Sequence, residues 1–315
     1  MWGNGCPGAP GDTVVVGVDI GGTKTDIALA GPHGQVMAVR RVPTRAAEGP
    51  AQAVRRIAAA TEELRREEAI GAQLLAVGLV CPGVVQGDRL LLAPNLSGWE
   101  DADLIGRLRT ALGVGRIAVT NDVRAGALAE ARAGALRDSR AGLYVNLGTG
   151  LAAALVIEGR VADGAHQAAG EIGYSQPTGA LGAWPATTHA HLEAAVSGAG
   201  LAVRAGNVLG GPVDAAELFG RTDAVSRHLV HQALGSLGTA LVNLAVFVDP
   251  DRVVIGGGLT GSADIVLPVL DAYLRAGVPF PPDVVLGTFT SGASLHGAVH
   301  LAVDLLAADV AEVQR

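Results

Sequence analysis

The chain opens with a β-branched apolar run at 13–18, is broken by Gly21-Gly22, and resumes an extended pattern over 25–30. Gly31-Pro32-His33-Gly34 marks a turn, and 36–42 reads as a third strand. Helical spacing covers 51–66, and a buried strand over 74–80 ends at Cys81-Pro82-Gly83. A helix is predicted over 101–112, a short strand over 116–120, and a helix from Asn121-Asp122 to about 134. Strands alternating with helices predict an α/β fold with a largely parallel sheet.

The pattern then restarts. A strand over 141–147 is broken by Gly148-Thr149-Gly150, followed by an extended stretch over 152–157, a hairpin turn at Glu158-Gly159 and a short continuation over 160–162. Helices are expected at 189–205 and 226–247, and a strand over 252–255 runs into Gly256-Gly257-Gly258. A helix, a strand near 284–286 and a last helix close the chain. Val18-Asp19-Ile20-Gly21-Gly22-Thr23 aligns with Val145-Asn146-Leu147-Gly148-Thr149-Gly150, each being strand, polar residue and Gly/Thr turn. This internal similarity predicts a tail at 1–12 and two related lobes, 13–135 and 136–315, with the last helix free to pack back on the first lobe. The length, 315 residues, suits two lobes at ~150 residues per domain. Two lobes that each begin with such a hairpin point to a nucleotide gripped in a cleft between them.

Composition narrows the function. The chain is 49% hydrophobic and 17% charged, with a net charge of −7, and carries no Lys/Arg cluster, which argues against a nucleic-acid partner. Cys6 and Cys81 form neither a disulfide framework nor a zinc cage, so a reducing cytoplasm is expected. The first twelve residues lack the charged and apolar regions of a signal peptide. The apolar helical stretch over 233–248 is expected to be a buried core helix, shorter than the ~20 residues a bilayer span needs. Of 23 Lys and Arg residues, Lys24 is the only lysine, and it lies inside the first Gly-rich turn.

Several groups of residues are candidates for chemistry. In Asp19-Ile20-Gly21-Gly22-Thr23-Lys24 the glycines let backbone amides turn toward a phosphate, and a carboxylate at the strand end suits Mg²⁺, through water. Gly17 to Gly22 has P-loop spacing, but Thr-Lys follows and a strand stands where a P-loop needs a helix. Gly148-Thr149-Gly150 with Ala153 mimics a dinucleotide fingerprint, yet it too leads into a strand. Asn121-Asp122, between strand and helix, is either an N-cap or a base at the ligand-facing end of a sheet. Glu171 and Glu193 are either solvated charges or ligands for substrate hydroxyls. His189 and His191 have no further ligands nearby to make a metal site. Gly257 and Gly258 allow close backbone approach to a ligand or simply form a turn.

Taken in order, Asp19 to Lys24, Cys81-Pro82-Gly83, 93–99, Asn121-Asp122, Leu147 to Gly150, Ala169 to Gly173 and Ile255 to Gly258 resemble the ROK family of repressors and sugar kinases, in the sugar kinase/actin-like ATPase superfamily. The resemblance implies two actin-like (ribonuclease H-like) lobes and ATP-dependent phosphorylation of a primary hydroxyl on a hexose, an amino sugar or a sugar-like C7 cyclitol. Asp122 would be the general base. Asn95, Asn121, Glu171, Glu193, Gly83 and Tyr174 would contact the substrate. Asp19, Gly21, Gly22, Thr23, Lys24, Gly148, Thr149, Gly150, Gly257 and Gly258 would hold ATP, with Asp19 near Mg²⁺. A homodimer or higher homo-oligomer is implied as well.

Three departures from the family pattern stand out. The usual zinc-binding His is Tyr174, and the usual three Cys positions fall on Trp184, Ala186 and His191, so no zinc is expected. That His also touches the sugar near C1/C2, so this end of the pocket should differ, which points away from plain glucose as the best substrate. The glycines that commonly follow the second hairpin are Ala152, Ala153 and Ala154, and the usual Asn two residues after the base is Arg124. The repressors of this family carry an added helix-turn-helix, for which the stretch before the first strand is too short. A sugar sensor without catalysis is the other reading, and the retained Asn121-Asp122 argues against it.

Overall fold

The first strand shows how one lobe is built. In β1 (Thr13–Ile20) side chains alternate faces, and both faces are buried. Val14, Val16, Val18 and Ile20 share a core with Ile57 and Leu64 of helix α1 (Pro50–Glu68), while Val15 on the opposite face packs with Leu295 and Val299. This is a computed structural model, and it describes residues 13–86, 89–176 and 192–313. The chain divides into two compact units, one of residues up to Ala129 together with those from Gly292, the other of Glu130–Ser291.

The first unit holds β1, β2 (Lys24–Ala30), β3 (Val36–Pro43), β4 (Gln73–Val80), a small hairpin of β5 (Val84–Gln86) and β6 (Arg89–Leu91), and β7 (Arg116–Thr120). Its helices besides α1 are α2 (Leu104–Leu112), the start of α3 (Asp122–Ala133) and the last helix of the chain, α9 (Ala293–Val313). The sheet order is β3-β2-β1-β4-β7. The second unit repeats this with β8 (Ala141–Leu147), β9 (Leu151–Ile157), β10 (Arg160–Val161), β11 (Arg252–Gly256) and β12 (Asp283–Leu286) in the order β10-β9-β8-β11-β12. Its helices are α4 (Leu192–Val196), α5 (Gly198–Leu209), α6 (Ala215–Gly220), α7 (Ala224–Val248) and α8 (Ala263–Gly277).

The duplicated order is that of two actin-like units. The expectation of a largely parallel sheet needs correction. In each sheet the three hairpin strands pair antiparallel, and only the last three strands in the order run parallel. The short Gly/Thr connections leave no length for a crossover helix, so their strands must return antiparallel.

The last helix, α9 (Ala293–Val313), lies on the first unit's sheet. The face it covers is paved with small residues: Val15, Ala28, Ala30 and Ala76. Gly17 and Gly78 are register partners at its centre. A Cβ on Gly78 would stand 1.8 Å from the Ala298 carbonyl oxygen, and one on Gly17 would stand 2.8 Å from the Val299 amide nitrogen. Glycine at these positions serves helix-on-sheet contact, which explains the misleading P-loop spacing that begins at Gly17.

Four other features differ from the sequence pattern. The helix expected over 189–205 breaks at Ser197, whose Oγ accepts from the Gly200 amide at 3.1 Å and caps α5. α6 and the β5–β6 hairpin have no counterpart in the hydrophobic reading. α7 is longer than expected: its 25 residues are long and apolar enough to cross a membrane by length and composition. Leu229, Ala233, Leu237 and Leu241 on one face of α7 are buried in the second unit's core, where α7 packs on α8.

Candidate active site

In the first unit the strand β1 delivers Asp19 to the sheet's end, beside Asp26 of β2 in register. The turn closes through the Gly21 amide, which donates to the Lys24 carbonyl at 2.9 Å. Thr23 and Lys24 are exposed. A Cβ on Gly22 would stand 2.9 Å from the Asn95 Cβ, so glycine here lets the turn rest on the segment that carries Asn95. Among the described residues the amides of Gly22 and Thr23 donate no hydrogen bond. They are unspent donors at the rim of a sheet, suited to an anion.

Two carboxylates stand near this turn. Ser294, in the first turn of α9, donates to Asp19. Burial pushes the Asp19 pKa up to about 6, opposed by the Ser294 hydrogen bond and reinforced by the charge of Asp122. Asp122 is the first residue of α3, following β7. Its neighbour does the capping: the Asn121 Oδ1 accepts from the Arg124 amide at 2.9 Å. The N-cap reading of Asn121-Asp122 therefore falls to Asn121. Asp122 presents exposed surface, yet the protein mass around it still raises its pKa by burial, opposed by amides of its own helix end. Cys81 lies nearby, and burial pushes its thiol up to about 12, with Asp19 and Asp122 acting the same way. It is an inert buried thiol. Gly83 has φ +88°, and a Cβ there would stand 2.4 Å from the Leu91 carbonyl oxygen, so its glycine serves the β5–β6 hairpin.

The second unit builds its hairpin with different supports. The Gly148 amide donates to the Gly150 carbonyl at 3.1 Å. The carbonyls of Gly148 and Thr149 accept from the Gly198 and Ala199 amides at 2.7 and 3.1 Å, which satisfies the open N-terminus of α5. The amides of Thr149 and Gly150 donate no hydrogen bond among the described residues. Gly257, at φ +94°, lies against the Leu147 carbonyl and the Asn146 side chain, which brings Gly257 and Gly258 beside this hairpin.

Glu193 touches the same hairpin, its Oε2 accepting from the Leu151 amide at 2.9 Å. Gly173 packs on the Glu193 side chain. The Tyr174 pKa is raised by burial and then by the charges of Glu171 and Glu193, which marks the three as neighbours. Glu171 sits on a loop fixed by Gly170, whose carbonyl accepts from the Ala153 amide at 2.8 Å. Ala153 is part of the second unit's core, so its methyl does not fill the Gly148-Thr149-Gly150 turn.

Each unit therefore gathers its own set. Asp19, Gly21 to Lys24, Asn95, Asn121 and Asp122 belong to the first. Gly148 to Gly150, Glu171, Tyr174, Glu193, Gly257 and Gly258 belong to the second. Trp184, Ala186, His189 and His191 lie outside the described residues. Among the described residues no three His, Cys, Asp or Glu side chains are grouped to hold a metal ion. Mg²⁺ needs less, since it keeps several waters and takes one or two carboxylates, and Asp19, raised by burial and by Asp122, is a carboxylate whose charge a cation would relieve. Sequence reasoning missed Ser294 and Thr44, two hydroxyls far along the chain from the groups they bond, for which no local pattern gives a signal. The cap at Ser197 did have one, in Ser197-Gly198.

The ROK family model matches residues 15–304. A glucokinase of Streptomyces coelicolor is 30% identical over 320 residues, covering 92% of this chain and 97% of its own. An N-acetylmannosamine kinase of Shigella flexneri is 30% identical over 296 residues, covering 91% and 98%. The crystal structure of a ROK family glucokinase from Streptomyces griseus in complex with glucose and AMPPNP superposes with a TM-score of 0.74 at 25% identity, covering 92% of this chain and 99% of that one. Matched along almost all of its described length, in sequence and in fold, the chain belongs to the ROK family.

Proposed function

We propose that this protein is an ATP-dependent carbohydrate kinase that phosphorylates a primary hydroxyl of a hexose, an amino sugar or a sugar-like cyclitol. One observation carries the catalytic part: Asp122 stands exposed at the end of β7 while Asn121 takes the capping duty that would otherwise occupy it. As general base Asp122 accepts the proton of the substrate hydroxyl while that oxygen attacks the γ-phosphorus and ADP departs. Two kinases of 30% identity, one for glucose and one for N-acetylmannosamine by name, support a sugar as acceptor, and the AMPPNP complex of the Streptomyces griseus relative supports ATP as donor.

The free amides at Gly22, Thr23, Thr149 and Gly150 suit the phosphates, with Lys24 supplying a positive charge. Gly257 and Gly258 suit the nucleoside. Asn95, Asn121 and Gly83 of the first unit, and Glu171, Glu193 and Tyr174 of the second, keep the substrate-binding roles that family membership suggests. Mg²⁺ held near Asp19 through water would neutralise phosphate charge. With Tyr174 where relatives place a His, neither zinc nor a strict glucose preference is expected.

The test is ADP release against hexoses, N-acetylated and free amino sugars, and cyclitols, with Asp122→Ala as control. Acceptor-dependent ADP release that the control lacks supports the proposal. Folded protein that releases no ADP with any acceptor overturns it, and acceptor binding without ATP binding would make it a sensor.

A further inference from the structure

The first-unit turn is gripped from behind by a residue with no role so far. Thr44 is 1% exposed. Its hydroxyl donates to the Gly21 carbonyl at 2.7 Å. With that proton committed, the same oxygen accepts from the Thr25 hydroxyl at 2.8 Å. Its amide donates to the Thr23 carbonyl at 2.9 Å. Arg56 of α1 donates to the Thr44 carbonyl at 2.5 Å and to Glu48 at 2.6 Å, so the grip is itself anchored on a helix.

The consequence follows from peptide planarity. In a trans peptide the C=O of one residue and the N–H of the next point in opposite directions. Holding the Gly21 carbonyl aims the Gly22 amide away from Thr44. Left alone, a peptide flanked by Gly21 and Gly22 flips with little steric resistance, because neither residue has a Cβ. A flipped Gly21–Gly22 peptide would offer an anion a carbonyl oxygen in place of a donor.

We infer that Thr44 is a positioning residue for nucleotide phosphate: it locks the turn so that the Gly22 amide faces the anion. This rests on the proposal that the turn binds ATP phosphates. Thr44→Val keeps the side chain's shape and removes the hydroxyl, Thr44→Ser restores a hydroxyl, and Thr25→Val removes a donor to Thr44 while sparing its bond to Gly21. The expected result is a KM for ATP raised about tenfold in Thr44→Val, with the acceptor KM within about twofold. Thr44→Ser and Thr25→Val should stay near wild type. An unchanged ATP KM in Thr44→Val, or an equal rise in both KM values, overturns the role.

Amide resonances of ¹⁵N-labelled wild type, titrated with ATP, read the same geometry without turnover and without any variant having to fold. Displacement of the Gly22 resonance supports the inference; an unmoved resonance overturns it. If the resonance moves but no acceptor is phosphorylated, the kinase reading fails while phosphate binding at the turn stands, and an ATP affinity unchanged in Thr44→Val then overturns the role of Thr44.

Discussion

Ser294 donates to Asp19 Oδ2 at 2.5 Å, a hydrogen bond that joins residues 275 positions apart. The bond favours the ionised carboxylate, yet burial outweighs it and leaves the Asp19 pKa at about 6 against an ordinary 3.8. The folded protein therefore holds this proton more tightly than the unfolded chain does. Asp19's contribution to stability is full below about pH 4, is lost as pH rises toward about 6, and is constant above, a total of about 3 kcal/mol by order of magnitude. Asp19→Asn, which does not titrate, should melt above wild type near pH 7 in the absence of Mg²⁺, and the gap should close near pH 4. Thermal melts across that range check this, and a gap that does not vary with pH would refute it.

Asp122 and Asn121 should separate into different phenotypes. Asp122→Ala is expected to lower kcat by ~10²–10⁴-fold with little change in melting temperature. Asn121→Ala removes the α3 cap and should cost about 1 kcal/mol of stability. Because the Asp122 pKa is raised and the base must be ionised, kcat should fall on the acid side at a pH above that of an ordinary aspartate. Single-turnover rates with pH, beside urea denaturation, test both halves. An Asp122→Ala enzyme with near-normal kcat would exclude it as the base.

Gly78→Ala should be worse than Gly17→Ala. The new methyl at 78 meets the Ala298 carbonyl, which is backbone and cannot swing aside, whereas the one at 17 meets a side-chain methyl as well as an amide. Losses of ~1–3 kcal/mol or more are typical of such overpacking. The urea midpoints of the two variants would show the order, and equal midpoints would mean that α9 adjusts more easily than the contact suggests.

A chelator should stop turnover, and Mg²⁺ added back alone should restore it. Mg²⁺ is expected to serve the reaction, and a structural zinc is not expected with Tyr174 in the position of a His. Elemental analysis finding about one zinc per chain would contradict this.

Much of this arrangement was legible in sequence for a local reason. Strands such as β7 and β8 are short, largely apolar runs bounded by turns, and the expected ranges 116–120 and 141–147 match them. The two Gly/Thr turns announced themselves because a glycine break inside an apolar run has few readings. What stayed hidden depends on distant partners. Nothing beside Thr44 says that its hydroxyl meets Gly21, and nothing near Gly17 says that Val299 will lie over it. The helix break at Ser197 was missed because hydrophobic spacing runs through it, while the decisive contact is the bonding of the Gly198 and Ala199 amides to the second hairpin.

The small-residue face beneath α9 also governs the order of events at the ribosome. Val15, Ala28, Ala30 and Ala76 are made early, but the helix that covers them begins only at Ala293. Until then the first sheet lacks the helix that covers one of its faces, while residues 130–291 make a compact unit of their own. The nascent chain therefore carries an unsealed apolar plate through the synthesis of the whole intervening unit. Stopping translation before residue 293 should yield chains that a holdase chaperone retains and that full-length release frees.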